Sequence, residues 1–281
     1  MPWNARLELD YRLEGPRSVA RFRHEGPLRI LQSLYPEGDA VCHNVLVHPP
    51  GGLVGGDTLD IRVSAAGGSH GLITTPGASR FYRSEGEPAL QRTALQRTAL
   101  QLEPGARLEW LPLEAICFSG CRAENRLSLQ LAEGAELIGW DVTALGLPGA
   151  GKPFEKGTLL QHIEMPGAWL ERGRIDAADP RLLDGPLGLA GHRCLATLFF
   201  VAGAAIARPR REAALDAARA LIEAHALRDS AGATSPQPGV VVLRVLAPLV
   251  EPAMQLLRQA WQAWRAELWQ MRGAPPRIWA M

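Results

Sequence analysis

Lysine is almost missing from this chain: among its 30 basic residues only Lys152 and Lys156 are lysines. The arginine-dominated remainder suits fixed, paired contacts of planar guanidinium groups, and it equally suits a GC-rich genome. Net charge is missing too. With 30 basic against 29 acidic residues, no overall field recommends a nucleic acid or an anionic membrane as partner. Cysteine is scarce and irregularly placed, at 42, 117, 121 and 194. This argues against a disulfide framework and makes a reducing cytoplasm the expected compartment. The longest apolar stretch, Cys194 to Ala207, is closed by Arg193 and Arg208 and falls short of the ~20 residues a membrane helix needs. It reads as buried core. Met1-Pro2-Trp3-Asn4 also lacks the basic and then apolar pattern of a signal peptide.

Catalytic signatures are absent as well. There is no Gly-x-Ser-x-Gly elbow, no His-Glu-x-x-His and no Gly-x-Gly-x-x-Gly, so nothing assembles a nucleophile, a zinc site or a dinucleotide cradle. Gly146-Leu147-Pro148-Gly149-Ala150-Gly151-Lys152-Pro153 comes close to a phosphate loop. The magnesium-holding Ser or Thr that should follow the lysine is replaced by Pro153, which supplies neither a hydroxyl nor an N–H.

What is present is a period of two up to about residue 205. Leu7, Leu9, Tyr11 and Leu13 alternate with polar residues and then meet a turn at Gly15-Pro16, as a half-buried strand does. Further strands are expected at 18–24, 28–34, 44–48, 59–64, 70–75, 108–111, 126–131, 136–142 and 158–164. The regular turn clusters between them suggest packed antiparallel sheets. After residue 207 the period becomes helical. An amphipathic helix is expected over 209–227, a polar loop over 230–239, a buried strand over 240–246 and a second helix over 251–272. In that last helix Met254, Leu257, Trp261, Trp264, Leu268 and Met271 form one apolar stripe. Packing on the protein's own sheets is the plain reading. Trp and Met are also enriched at interfaces, so Trp264 and Leu268 are the residues expected to touch a partner protein. Gln91 to Leu95 repeats as Gln96 to Leu100. A five-residue insertion reverses strand faces, so a bulge or a longer loop is expected to absorb it.

Candidate ligands divide into two kinds. Cys42, His43 and His48, or Cys117 with Cys121, offer soft donors for a transition metal, yet neither set has the paired spacing of structural zinc, and buried packing explains both. Asp57, Asp60, Glu109, Glu114, Asp141 and Glu171 are carboxylates scattered through strand-like segments, where pairing with arginine is the ordinary role. The loop His48-Pro49-Pro50-Gly51-Gly52 through Gly55-Gly56-Asp57 is too rich in Gly and Pro for a regular element and reads as tight turns.

Taken in order, Gly26-Pro27-Leu28-Arg29, Leu34-Tyr35-Pro36-Glu37-Gly38, the His48 to Asp57 loop, Thr74-Thr75-Pro76-Gly77-Ala78, Phe81-Tyr82-Arg83-Ser84, Leu108-Glu109-Trp110-Leu111-Pro112 with Glu114, Gly139-Trp140-Asp141, Glu171-Arg172 and Gly188-Leu189 resemble the UreD (UreH) family of urease accessory proteins. The resemblance spans about residues 26 to 200. It implies one domain over 1–281, β-rich over 1–207 with a helix–strand–helix end over 208–281, in a mainly β, β-helix-like fold of antiparallel and mixed sheets. It also implies a non-enzymatic scaffold that works with a UreF-type protein, a UreG-type GTPase and apo-urease subunits. No cofactor is expected to be tightly bound; nickel would pass transiently, along a route marked by Asp57, Asp60, Glu109, Glu114, Asp141 and Glu171. Leu147 and Lys152 depart from the family pattern, which carries Arg and Glu at those places, and Cys117 and Cys121 fall outside it. The rival readings are an enzyme using the glycine-rich loops, a metal-binding β-rich module unrelated to urease, and a β-solenoid adhesion module. From Pro153, the purified chain is expected to show no magnesium-dependent GTP turnover once contaminating GTPases are removed; turnover that persists would overturn that expectation.

Overall fold

A computed structural model describes residues 2–84, 93–272 and 275–280. The chain opens with the hairpin β1 (Asn4–Glu14) and β2 (Arg17–Glu25), then β3 (Arg29–Leu34) and β4 (Cys42–Val47). It next winds in coils. β5 (Thr58–Ala65), β6 (His70–Thr74) and β7 (Ser79–Phe81) make the first turn. β8 (Ala94–Leu102), β9 (Arg107–Leu111) and β10 (Ala115–Cys117) make the second. β11 (Cys121–Leu131) and β12 (Glu136–Leu147) follow, then β13 (Lys152–Pro153), β14 (Gly157–Met165) and β15 (Trp169–Asp176).

The result is two stacked sheets. The first is ordered β15-β14-β11-β8-β5-β1-β2. Its five inner strands are parallel and its two edge strands run antiparallel. The second contains β3-β4-β6-β9-β12 and continues through β16 (Cys194–Ala202) and β18 (Val240–Ala247) to β17 (Ala231–Gln237). A short third ladder, β7-β10 and the end of β12, closes one side. This is the β-helix-like, mixed-sheet architecture the family resemblance implies. The sequence rhythm alone pointed to antiparallel pairing, and the structure corrects that for the interior. Alternation reports which face is buried and not the direction of the neighbouring strand.

Two helices, α2 (Arg208–Glu223) and α3 (Val250–Trp269), cover the second sheet on its far side; a single turn, α1 (Pro180–Asp184), precedes β16. The second sheet is therefore buried on both faces. Its strands read as nearly unbroken apolar runs, as in Cys194–Ala202 and Val240–Ala247, because neither face meets water. One core, with Leu9, Val63, Leu100, Leu129, Phe199 and Val242, fills the space between the sheets. A second, with Trp140, Phe200, Leu243, Leu257 and Trp261, fills the space beneath the helices. Trp279, near the C-terminus, closes that second core. Its indole N–H donates to Thr74 Oγ1 at 2.8 Å, and its ring lies 5.1 Å from Trp140 and 5.3 Å from Trp261.

Two expectations need correcting, and the one for the repeat falls partly outside the described residues. Residues 231–237, read as a loop, form the edge strand β17 paired with β18; their small polar side chains hid a backbone that the neighbouring strand recruits. The copy Gln96 to Leu100 lies within the regular strand β8, with Gln96 facing in. Gln91 and Arg92 of the other copy lie outside the described residues. Trp264 and Leu268, assigned to a partner, are buried at 0% and 3% exposure. The Trp264 indole donates to the Ala214 carbonyl of α2 at 2.9 Å. The stripe closes on the protein's own helices and sheet, because the outer face of the second sheet is too apolar to be left in water. Trp264→Ala should therefore lower unfolding free energy by about 3–5 kcal/mol in urea denaturation; a change below about 1 kcal/mol would show that the site is not core.

Candidate functional site

In-register strands stack equivalent residues, and at one inward level the stack is polar. Gln96 of β8 pairs with Asn125 of β11, and Asn125 with Gln161 of β14. The level on one side carries Ala94, Ala123 and Leu159, and the level on the other carries Thr98, Leu127 and Ile163. Gln96 and Asn125 face a cavity of about 250 Å³ between the sheets, whose other walls include Trp110, Leu113, Arg80 and His48. From the opposite sheet Asp141 enters the same cavity. Asn125 Nδ2 donates to Asp141 Oδ2 at 2.9 Å, and Thr143 Oγ1 donates to Oδ1 at 3.4 Å. Burial pushes the Asp141 carboxyl up to about 6; Gln161, Thr143 and Asn125 oppose the shift, and the nearby Glu171 charge adds to it. Glu171, on β15, is held by Arg244 of β18 across the gap between the two sheets. Asp141 lines the cavity, and Glu171, outside its lining, adds a small like-charge contribution.

The remaining predicted carboxylates lie elsewhere. Asp57 is a buried turn cap, accepting from Val54 N at 2.9 Å and Trp3 N at 3.2 Å. Asp60 points away from the interior on the outer face of the first sheet, 3.3 Å from Arg62. Glu114 shares a different hollow with Cys194 and Glu251. Glu109 is fully buried on the helical side of the second sheet. His70 Nε2 lies 2.8 Å from its Oε1, Trp261 Nε1 donates to Oε2 at 2.6 Å, and Arg265 Nη2 lies 3.4 Å away. The same Arg265 nitrogen is 2.8 Å from Glu37, which in turn meets His43 Nε2 at 2.8 Å. Burial alone would raise Glu37, but the His43 hydrogen bond and the Arg265 charge outweigh it and hold the carboxyl below its usual range. This group clamps α3 to the solenoid. The six predicted residues therefore do not converge, and among the described residues no three His, Cys, Asp or Glu side chains are grouped to hold a metal.

Among the described residues the soft donors form no metal-holding group either, although Cys117 and Cys121 are neighbours. Cys42, Cys117, Cys121 and Cys194 are free and buried. The neighbouring Cys121 and burial raise the Cys117 thiol well above its ordinary value, and burial pushes Cys194 up to about 12. Both thiols stay protonated at neutral pH. His48 packs 5.0 Å from Trp3, and burial lowers its pKa. The near-miss phosphate loop folds back as a small hairpin, with Gly146 paired to Pro153 and Leu147 to Lys152. Gly146, at φ +72, sits where a Cβ would meet Lys152 O and Phe154 N at 2.7 Å. Its glycine serves a tight turn and not an anion.

Sequence reasoning missed the Gln96–Asn125–Gln161 stack and the Arg265 clamp. The stack had a signal: Asn125 interrupts an apolar inward series between Ala123 and Leu127, and Gln161 does so between Leu159 and Ile163. Arg265 had none, because its helix carries polar residues on several sides.

Comparison with known proteins fits this architecture. A family model described as "UreD urease accessory protein" matches residues 4–280. The chain belongs to the UreD family. It is 74% identical over 280 residues to the urease accessory protein UreD of Variovorax paradoxus (strain S110), 72% identical over 281 residues to that of Paracidovorax citrulli (strain AAC00-1), and 69% identical over 281 residues to that of Polaromonas naphthalenivorans (strain CJ2); each alignment covers 100% of both chains. The UreD likeness thus reaches past residue 205 and includes the helices. These relatives are named as accessory proteins and not as enzymes. No helix among the described residues is long and apolar enough to cross a membrane.

Because its carboxyl is raised to about 6 from an ordinary value near 4, Asp141 binds a proton more readily folded than unfolded. Its favourable contribution is complete below about pH 4 and is lost as pH rises through about 6. Asp141→Asn should flatten the stability–pH curve between those limits and stabilise the protein at pH 7 by up to about 3 kcal/mol. Denaturant midpoints measured from pH 4 to 8 check this; parallel curves for the two proteins would refute it.

Proposed function

We propose that this chain is a non-catalytic scaffold that joins a UreF-type protein and a UreG-type GTPase to apo-urease, in the cytoplasm, and that nickel reaches the urease through its polar interior. The observation that supports the reading is the inward stack of Gln96, Asn125 and Gln161 facing Asp141, in a member of the UreD family. A polar level inside a β-solenoid is costly unless it has a use, since buried amides without full hydrogen bonding cost free energy. Side-chain oxygens are hard donors, whereas nickel is held firmly by imidazole or thiolate. The oxygens of Gln96, Asn125 and Asp141 therefore suit an ion that must be released again, with the His48 imidazole as a firmer donor on the same wall. The four thiols are buried, and none of them lines the cavity.

On this reading Asp141 and Glu171 lie on the route. Asp57 and Glu109 serve the fold, Asp60 lies outside the interior, and Glu114 belongs to a separate hollow. The wild-type chain should co-purify with UreF-type, UreG-type and apo-urease proteins. Asp141→Ala and Glu171→Ala should both stay folded and co-purify equally well, and Glu171→Ala should melt near the wild-type temperature, since the partly exposed Glu171–Arg244 pair contributes only about 0–1 kcal/mol. Both should lower nickel-dependent urease activation in cells. Failure of the wild type to co-purify would sink the scaffold; normal activation by both variants would remove these residues from the route.

A further inference from the structure

The outer face of the first sheet carries a feature that neither the interior nor the helices use. In-register pairing sets outward side chains in rows across the strands. One row runs Arg6, Asp60, Arg97, Arg126, His162 and Arg172 from β1 to β15. Its last four members are adjacent basic residues. At ~4.8 Å between strands, they extend about 14 Å. Like charges placed directly opposite one another destabilise a sheet, so the row works against the isolated chain's stability. Glu124 and Glu164 offset Arg126 and His162. Arg97 and Arg172 are exposed, and no ion pair to either is found among the described residues.

Beside this row the surface is hollow. Two residues further along β8 and β11, Ala99 and Ser128 form the floor of a trough of about 280 Å³, with Gln101 and Gln130 on the far bank. Arg62, Glu8 and Asp10 lie at its other end, where Glu8 is bound by Arg6 and Asp10 by Ser64. The trough thus has a small neutral floor and an amide bank able to hydrogen-bond a backbone, and the basic row runs parallel to it, one step along the strands and outside its lining.

We propose that this trough docks an acidic, extended polypeptide segment of an assembly partner, lying across the strands with its carboxylates against Arg97, Arg126, His162 and Arg172. Alternate side chains of an extended segment are ~6.7 Å apart and meet the bank at about two or three points. Its backbone lies over Ala99 and Ser128, where no long side chain obstructs it. A single-stranded nucleic acid would be drawn to the same charges, but it also needs aromatic platforms for its bases. No Phe, Tyr or Trp points outward from β5, β8, β11, β14 or β15. The inference rests on the scaffold role proposed above, which supplies the partners.

The test is capture of purified UreF-type protein, UreG-type GTPase and apo-urease by the full-length chain. Arg97→Gln/Arg172→Gln should fold with the wild-type circular dichroism spectrum and lose roughly tenfold in affinity for one of the three, whereas Arg97→Lys/Arg172→Lys keeps most of it. Wild-type capture of that protein should also weaken as salt rises from about 50 to about 300 mM. Salt-insensitive capture, or equal capture of all three proteins by the Gln variant, overturns the docking trough and leaves the scaffold standing. A wild-type chain that captures none of the three overturns both. A labelled oligo-dT probe that binds the wild type but not the Gln variant, with protein capture unchanged, assigns the row to nucleic acid and overturns the proposal.

Discussion

Arg265 between Glu37 and Glu109 is the contact on which the rest of the architecture depends. A guanidinium at 1% exposure is tolerable only beside carboxylates, and breaking such a buried pair costs about 3–5 kcal/mol because the surviving charge is left unpaired. Its two partners come from distant parts of the chain: Glu37 from the turn between β3 and β4, Glu109 from β9. The contact therefore sets where α3 lies on the solenoid. Once α3 is placed, Trp261 and Trp264 find their acceptors, Trp269 donates to Glu136 at 2.6 Å, and Arg210 of α2 reaches that same carboxylate. The apolar outer face of the second sheet is then covered.

The second sheet thus separates two polar systems of opposite character. On the helical side, each buried carboxylate of the clamp has a cation or hydrogen-bond donor, as a rigid anchor requires. On the inner side, Asp141 is bonded only by neutral groups, Asn125 and Thr143, and burial raises its carboxyl. Charge facing counter-charge fixes structure; an acid held by neutral groups beside open space is available to something that passes or binds. This contrast, more than the number of carboxylates, sets Asp141 apart from Glu109.

The β-rich body, the two closing helices and the buried character of Cys194–Ala202 were legible in the sequence, since each follows from local periodicity, whereas Ala204, Ala205 and Ala207 at the end of that apolar run are exposed. So was the family, through short motifs whose order and spacing agree. Strand direction was not, because a period of two is the same for parallel and antiparallel neighbours. The edge strand β17 was hidden for a related reason: its pairing is supplied by β18 and not by its own small side chains.

The chain by itself determined which residues are apolar, where the period changes from two to that of a helix, and which turns need glycine or proline, because these depend on neighbours within a few positions. Tertiary structure alone decided the partners of the charges. Six carboxylates that look alike in sequence became a turn cap, an outer-face ion pair, a helix clamp, the lining of a separate hollow, a cavity-wall acid at Asp141 and an ion pair between the sheets at Glu171. Likewise Trp264 and Leu268 became core and not surface. Electrostatic energy depends on distance and on exclusion of water, and both were set only when coils far apart in the chain came into register.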